Sequence, residues 1–208
     1  MNYQDMAAEL APLGITISQR SIDELEAYDA DYAAEYGRDY YSHNPSASKV
    51  FDLLYWEGCG FYDEETWEWT PSTSGVFYFD TEAWSVDTMY TDFFTGLSSM
   101  NSELNFTNVQ EDYSEADIEN GIGTVEICFT WNGTEHEMTA QYDYDWFDTE
   151  ILHEVGYIIA SDSIENDLYV CHDGQCCMLF YGSVQQVHEL ESLTGLNFSS
   201  AQSRSIFH

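Results

Sequence analysis

Apolar and polar residues alternate most regularly across TVEICFTWNGTEHEMTAQY, Thr124 to Tyr142, on both sides of Asn132-Gly133. A period of two sends successive side chains to opposite faces of a strand, and Asn-Gly favours the two-residue type I′ turn that joins antiparallel strands. The pattern predicts a hairpin with Val125, Ile127, Phe129 and Trp131 on its buried face, across from Ala140, Met138, His136 and Thr134. Glu126, Cys128, Thr130, Glu135 and Glu137 fall on the other face, which should be wet. His136 sits opposite Phe129 and so reads as a packed histidine rather than a ligand. A second hairpin is expected in LYVCHDGQCCMLFY, turning at Asp173-Gly174, with His172 paired to Gln175, Cys171 to Cys176 and Val170 to Cys177. VFYFD, Val76 to Asp80, reads as a further strand, and NFTNVQEDYS as a weaker one.

Helical spacing governs the remaining segments. Ser21 to Tyr41 opens with Ser21-x-x-Glu24, a capping-box pattern, followed by Ile22 and Leu25 on one face. PSASKVFDLLYWEG predicts a second helix, with Pro45 near its start and Gly58 past its end. TMYTDFFTGLSSM predicts a third. DWFDTEILHEVGYIIASDS carries a stripe of Ile151, Val155, Ile158 and Ile159. SVQQVHELESLTGLNF should start near Ser183 and end before Gly195, burying Val184, Val187, Leu190 and Leu193. CGFYDEETWEWTPSTSG reads as a polar, aromatic loop or short strand. Helices and hairpins follow one another without regular β-α-β alternation. The expected class is therefore α+β, an antiparallel sheet built from hairpins with helices packed on it, in a single domain spanning residues 1–208.

Composition changes this picture in one respect, which is charge. The chain of 208 residues is 44% hydrophobic and 16% aromatic, enough for a sizeable core. Yet 39 acidic residues face only four bases, Arg20, Arg38, Lys49 and Arg204, for a formal charge of −35. Residues 50–203 hold thirty Asp or Glu and no Lys or Arg. Salt bridges cannot organise most of this molecule, and neither direct nucleic-acid binding nor capture of a phosphorylated substrate is expected of it. A globule of this mass exposes about 9,900 Å², or roughly one charge per 280 Å² if spread evenly. Duplex DNA carries roughly one per 110 Å². Resemblance to a nucleic acid would thus need the acids gathered on part of the surface. MNYQDMAAELAPLG lacks the basic and apolar regions of a secretory signal, and no run reaches membrane-spanning length, so a soluble cytoplasmic protein is expected. The five cysteines, odd in number and irregularly spaced, read as reduced thiols.

One segment offers to gather charge. Tyr28, Tyr32, Tyr36 and Tyr40 recur every fourth residue beside a second row, Asp31, Glu35 and Asp39. Like charges at this spacing destabilise a helix by a few tenths of a kcal/mol per pair, so the row is mildly unfavourable for folding. One interpretation is an ordinary amphipathic helix with half-buried rings and solvated acids, Glu35 partly neutralised by Arg38. The other is a phosphate-like ridge with aromatic anchors, which makes Tyr28, Asp31, Tyr32, Glu35, Tyr36 and Asp39 the candidate binding residues.

Catalytic and metal motifs do not complete. Glu150-x-x-His153 is half of a di-iron pattern, and His153-Glu154 opens a zincin-like pattern whose later histidine is replaced by Tyr157. The expected hairpin register sends Cys171 and Cys176 to one face and Cys177 to the other, so the cysteines do not converge on a tetrahedral centre. No metal site and no cofactor are expected. Asp63, Glu64, Glu65 and Glu68 beside Trp67 and Trp69 suggest an alternative, a small hydrolase using paired carboxylates in an aromatic-lined cleft. In overall character the chain resembles acidic inhibitors of basic toxins, such as bacterial immunity proteins, and DNA-mimic proteins. That likeness of composition implies a non-enzymatic protein that captures a basic partner, a toxin or a nucleic-acid-binding protein.

Overall fold

A computed structural model describes residues 2–44, 48–63, 65–82, 85–163, 165–173 and 175–203. Helices α1 (Tyr3–Leu10), α2 (Gln19–Tyr36), α3 (Tyr40–His43) and α4 (Lys49–Gly58) come first, followed by a short ribbon of β1 (Phe61–Tyr62) and β2 (Trp69–Thr70). Strand β3 (Val76–Asp80) and helix α5 (Met89–Met100) lead into β4 (Phe106–Asp112), β5 (Ala116–Asp117), β6 (Ile122–Trp131) and β7 (Thr134–Gln141). Helix α6 (Thr149–Asp162), strands β8 (Asp167–Asp173) and β9 (Cys176–Gly182), helix α7 (Val184–Thr194) and strand β10 (Ser199–Ser200) complete the chain. The class is α+β, with antiparallel strands and helices packed on them in one domain.

The strands divide between two main sheets. One has the order β10-β8-β9-β3; in the other β6 is central, pairing with β4 and β5 along one edge and with β7 along the other. Helix α5 packs on β3 and β4, and α6 on β7 and β8, so this helix pair is shared by both sheets. Between them lies the larger core, which includes Phe77, Phe94, Phe129, Ile151, Cys177 and Leu179. The opposite face of the β10-β8-β9-β3 sheet presents Val76, Met178 and Phe180 to α1, α2, α4 and α7, which close a second core. Strand β9 is therefore covered on both faces, which is why its run Cys177 to Tyr181 is continuously apolar while β6 alternates.

The Asn132-Gly133 hairpin has the register read from the sequence, Trp131 to Thr134 through Val125 to Ala140, and His136 stacks on Phe129 with ring centroids 5.3 Å apart. The cysteine hairpin does not. Its register pairs Asp173 with Cys176, His172 with Cys177 and Cys171 with Met178, two residues from the expected pairing. A slip of two preserves the face of every side chain, so Cys171 still faces one core and Cys177 the other. Gly174 itself lies outside the described residues.

Helix ends differ from expectation where a distant partner claims the expected cap. Helix α2 starts three residues early, capped by Ser18, whose hydroxyl accepts the Ser21 amide. Ser21 is thereby freed to reach across to α4. Helix α4 is capped by Ser48 and contains Gly58, while Pro45 falls outside the described residues. Helix α7 begins and ends as read, with a Ser183–Gln186 capping box and Gly195 left-handed, but buries only Val187 and Leu190; Val184 and Leu193 are exposed. Ile158 is only partly buried on α6. Among the described residues no helix is long and apolar enough to cross a membrane.

Candidate functional site

Gly37 determines the shape of the tyrosine-bearing face. It adopts φ +68°, a left-handed conformation that ends α2 and turns the chain. Tyr28, Asp31, Tyr32, Glu35 and Tyr36 stay on α2, as their spacing predicts. Asp39 does not continue the row. It caps α3, accepting the Ser42 amide at 3.0 Å, and this backbone hydrogen bond holds its carboxyl below the usual range. Tyr40 instead folds back against the helix, edge-on to Tyr28 at 5.5 Å and to Tyr32 at 5.1 Å, while Tyr32 contacts Tyr36 at 4.5 Å. The four rings thus form one cluster, reached through a turn rather than along a single helix. Tyr28 and Tyr36 are 46% and 52% exposed, so a good part of the cluster faces solvent. Exposed Asp31 and Glu35 flank it, and a hydrogen bond to Glu35 raises the Tyr36 hydroxyl's pKa.

Two of the four cations are engaged within the fold. Arg20 pairs with Glu24 at 2.7 Å and lies over the Phe61 ring. Lys49 is 3.4 Å from Asp29 and sits over the rings of Tyr3 and Tyr41. The Tyr3 hydroxyl donates to Asp29 and meets the Tyr41 hydroxyl, which donates to Asp52 at 2.8 Å. Burial raises the pKa of both tyrosines and of Asp52. Lys49 thus meets one carboxylate and two phenol rings, and the Tyr41 hydroxyl extends the network to Asp52.

A separate cleft, about 420 Å³, opens over the outer edge of β3. Helix α4 contributes Tyr55 and Cys59, and the β1–β2 ribbon contributes Tyr62 and Trp69. Successive β3 residues, Tyr78 and Phe79, point to opposite faces of the sheet yet both line the space, because it wraps around the edge. Helix α5 supplies Phe93 and Asp92. Burial pushes the Cys59 thiol up to about 12 and holds Asp92 above the ordinary carboxylate range. At the rim, the Gln175 amide donates to both Asp80, at 2.9 Å, and Glu82, at 2.8 Å.

No family model, curated protein or solved structure matches this chain. Its function has to be read from its own geometry.

Of the carboxylates singled out beside Trp67 and Trp69, the structure describes Asp63, Glu65 and Glu68. Asp63 is folded into its own turn, accepting from the amides of Glu65 and Thr66. Trp67 is 75% exposed at φ +60°, and Glu64 lies outside the described residues. Among the described residues of this group only Trp69 lines the cleft, its indole donating to the Cys59 carbonyl. His153 is buried, its ring donating to the Ala201 carbonyl at 2.6 Å. Among the described residues no group of three or more His, Cys, Asp or Glu converges to hold a metal ion. Sequence reading placed Trp69 in an aromatic-lined cleft but missed the walls contributed by α4, β3 and α5, which are distant in the chain. The aromatic density of VFYFD was a further local signal.

Proposed function

We propose that this is a non-enzymatic binding protein whose acidic, tyrosine-bearing face on α2 captures a basic protein partner. The supporting observation is the exposed cluster of Tyr28, Tyr32, Tyr36 and Tyr40 flanked by Asp31 and Glu35. Aromatic rings in a desolvated centre are the usual anchors of an interface, and surrounding charge steers the encounter. With Arg20 and Lys49 engaged within the fold, exposed Arg38, just past the end of α2, is the one remaining described base to offset the acids of this face. A basic toxin or a nucleic-acid-binding protein has the complementary chemistry. The acidity also disfavours binding of nucleic acid itself.

The test measures association and dissociation separately, against the partner recovered by pull-down at low salt. Tyr32→Ala and Tyr36→Ala are each expected to accelerate dissociation about ten-fold or more, with little change in association. Asp31→Asn combined with Glu35→Gln is expected to slow association and flatten its salt dependence. Recovery of no basic protein, or rates untouched by all four changes, refutes the assignment.

A further inference from the structure

The cleft over the edge of β3 is unlike the α2 face, being concave, aromatic and largely walled by apolar rings. Its volume of about 420 Å³ falls in the range of small-molecule sites. From the cleft's shape and charge we infer that it binds a small organic cation, an alkylated ammonium, by ring faces and carboxylates together.

Two features select that class. The walls present Tyr55, Tyr62 and Trp69, and a cation over an aromatic face is attracted by the ring quadrupole without needing a hydrogen-bond donor or acceptor. The charge is also of one sign: Asp80, Glu82 and Asp92 line the space, and no Lys or Arg occurs among the lining residues. Gln175 fixes the position of two of these carboxylates. Its single side-chain amide holds Asp80 and Glu82 together while neutralising neither, and Thr81 fixes Gln175 in turn through its backbone carbonyl. Clamping two carboxylates with a neutral donor concentrates negative potential at the mouth. The first turn of α5 also faces the cleft, but its partial positive charge of roughly half a unit is outweighed by the full charge of a carboxylate such as Asp92. Anions are excluded by the same field. A neutral apolar ligand would gain from the rings and leave the carboxylates unused.

Choline and its neutral isostere 3,3-dimethylbutan-1-ol separate these cases, measured by titration calorimetry and ligand-observed NMR. Choline is expected to bind saturably at one site per chain, about five-fold or more tighter than the isostere. Tyr62→Leu, Asp80→Asn and Asp92→Asn are each expected to weaken it by about the same factor. Glu137→Gln, which removes the same charge from the wet face of the other sheet, should leave binding unchanged. Phosphatidylcholine vesicles offer the same head group behind a phosphate, which Asp80 and Glu82 repel, and should not bind. Non-saturable uptake, equal affinity for the isostere, an effect of Glu137→Gln matching that of Asp92→Asn, or binding to vesicles but not to choline overturns the inference. So does the absence of choline binding to protein shown to be folded. The inference does not depend on the α2 face: Tyr32→Ala should leave choline binding intact.

Discussion

Glu57 shows how a single side chain can carry tertiary structure in a chain with few ion pairs. It is 2% exposed at the end of α4 and accepts from the Ser18 amide, the Ser18 and Ser21 hydroxyls, each at 2.8 Å, and the Ser72 hydroxyl. In a capping box, a glutamate three residues into the helix accepts the cap residue's amide. Here Glu57 does so for α2 from another helix, linking α2, α4 and the segment before β3. Glu57→Ala would leave those donors without an acceptor around a cavity, and is expected to destabilise the fold by about 3 kcal/mol in urea unfolding. Glu57→Gln keeps the volume, and the serine hydroxyls can rotate to accept, so roughly half that loss is expected. Equal losses would mean that the carboxylate's hydrogen bonds, and not the volume it fills, account for the effect. None of this was legible in the sequence. Ser21 looks like a cap because Ser21-x-x-Glu24 fits the local rule, and nothing local reports a glutamate 36 residues away.

At the scale of elements, legibility followed how locally each signal is encoded. Asn132 at φ +48° and its glycine neighbour set one hairpin's register directly, so the sequence reading was correct residue by residue. The cysteine hairpin slipped by two because Asp173 pairs within the ladder instead of turning. Its faces survived because an even slip keeps the alternation. Helix α5 carries a constraint that periodicity hides. A Cβ on Gly96 would overlap the Phe77 ring, so the helix approaches β3 closely only because this residue has no side chain. Replacing glycine by alanine inside a helix ordinarily gains about 1 kcal/mol. Gly96→Ala is instead expected to cost about 1–3 kcal/mol by overpacking, seen as a lower denaturation midpoint. Phe77→Leu in the same chain should recover part of the loss. A midpoint raised by Gly96→Ala would mean that the ring moves aside freely.

For the whole molecule, charge is the dominant variable. Self-repulsion at −35 opposes compaction, and screening by moderate salt should raise the thermal midpoint at neutral pH. The effect of pH has two parts of opposite sign. Burial raises Asp52 and Asp92, so folding penalises their ionised forms; lowering the pH through their folded values restores stability. Asp39, Asp63, Asp117 and Glu191 are held low by hydrogen bonds, and the stability they contribute persists above their unfolded values near 4 and is lost as pH falls further. The midpoint is therefore expected to rise as pH falls from about 8 to about 5, then to drop below about 4. A steady fall from pH 8 to 5, measured by circular dichroism, would show that the carboxylates are already compensated by bound cations.

The sequence by itself determined the α+β class, the faces of both hairpins, the ends of α7 and the lack of any base between residues 50 and 203. These depend on period, turn chemistry and composition, which act over a few residues or not through space at all. The tertiary structure decided which acids converge and which are held apart. It took Asp39 out of the row on α2, returned Tyr40 to the other rings, buried Glu57 among serines and wrapped four elements around the edge of β3. Each of those outcomes joins residues that are distant in the chain or separated by a turn. Local pattern is silent there, because burial and convergence are set by what other elements pack against a residue rather than by its neighbours in sequence.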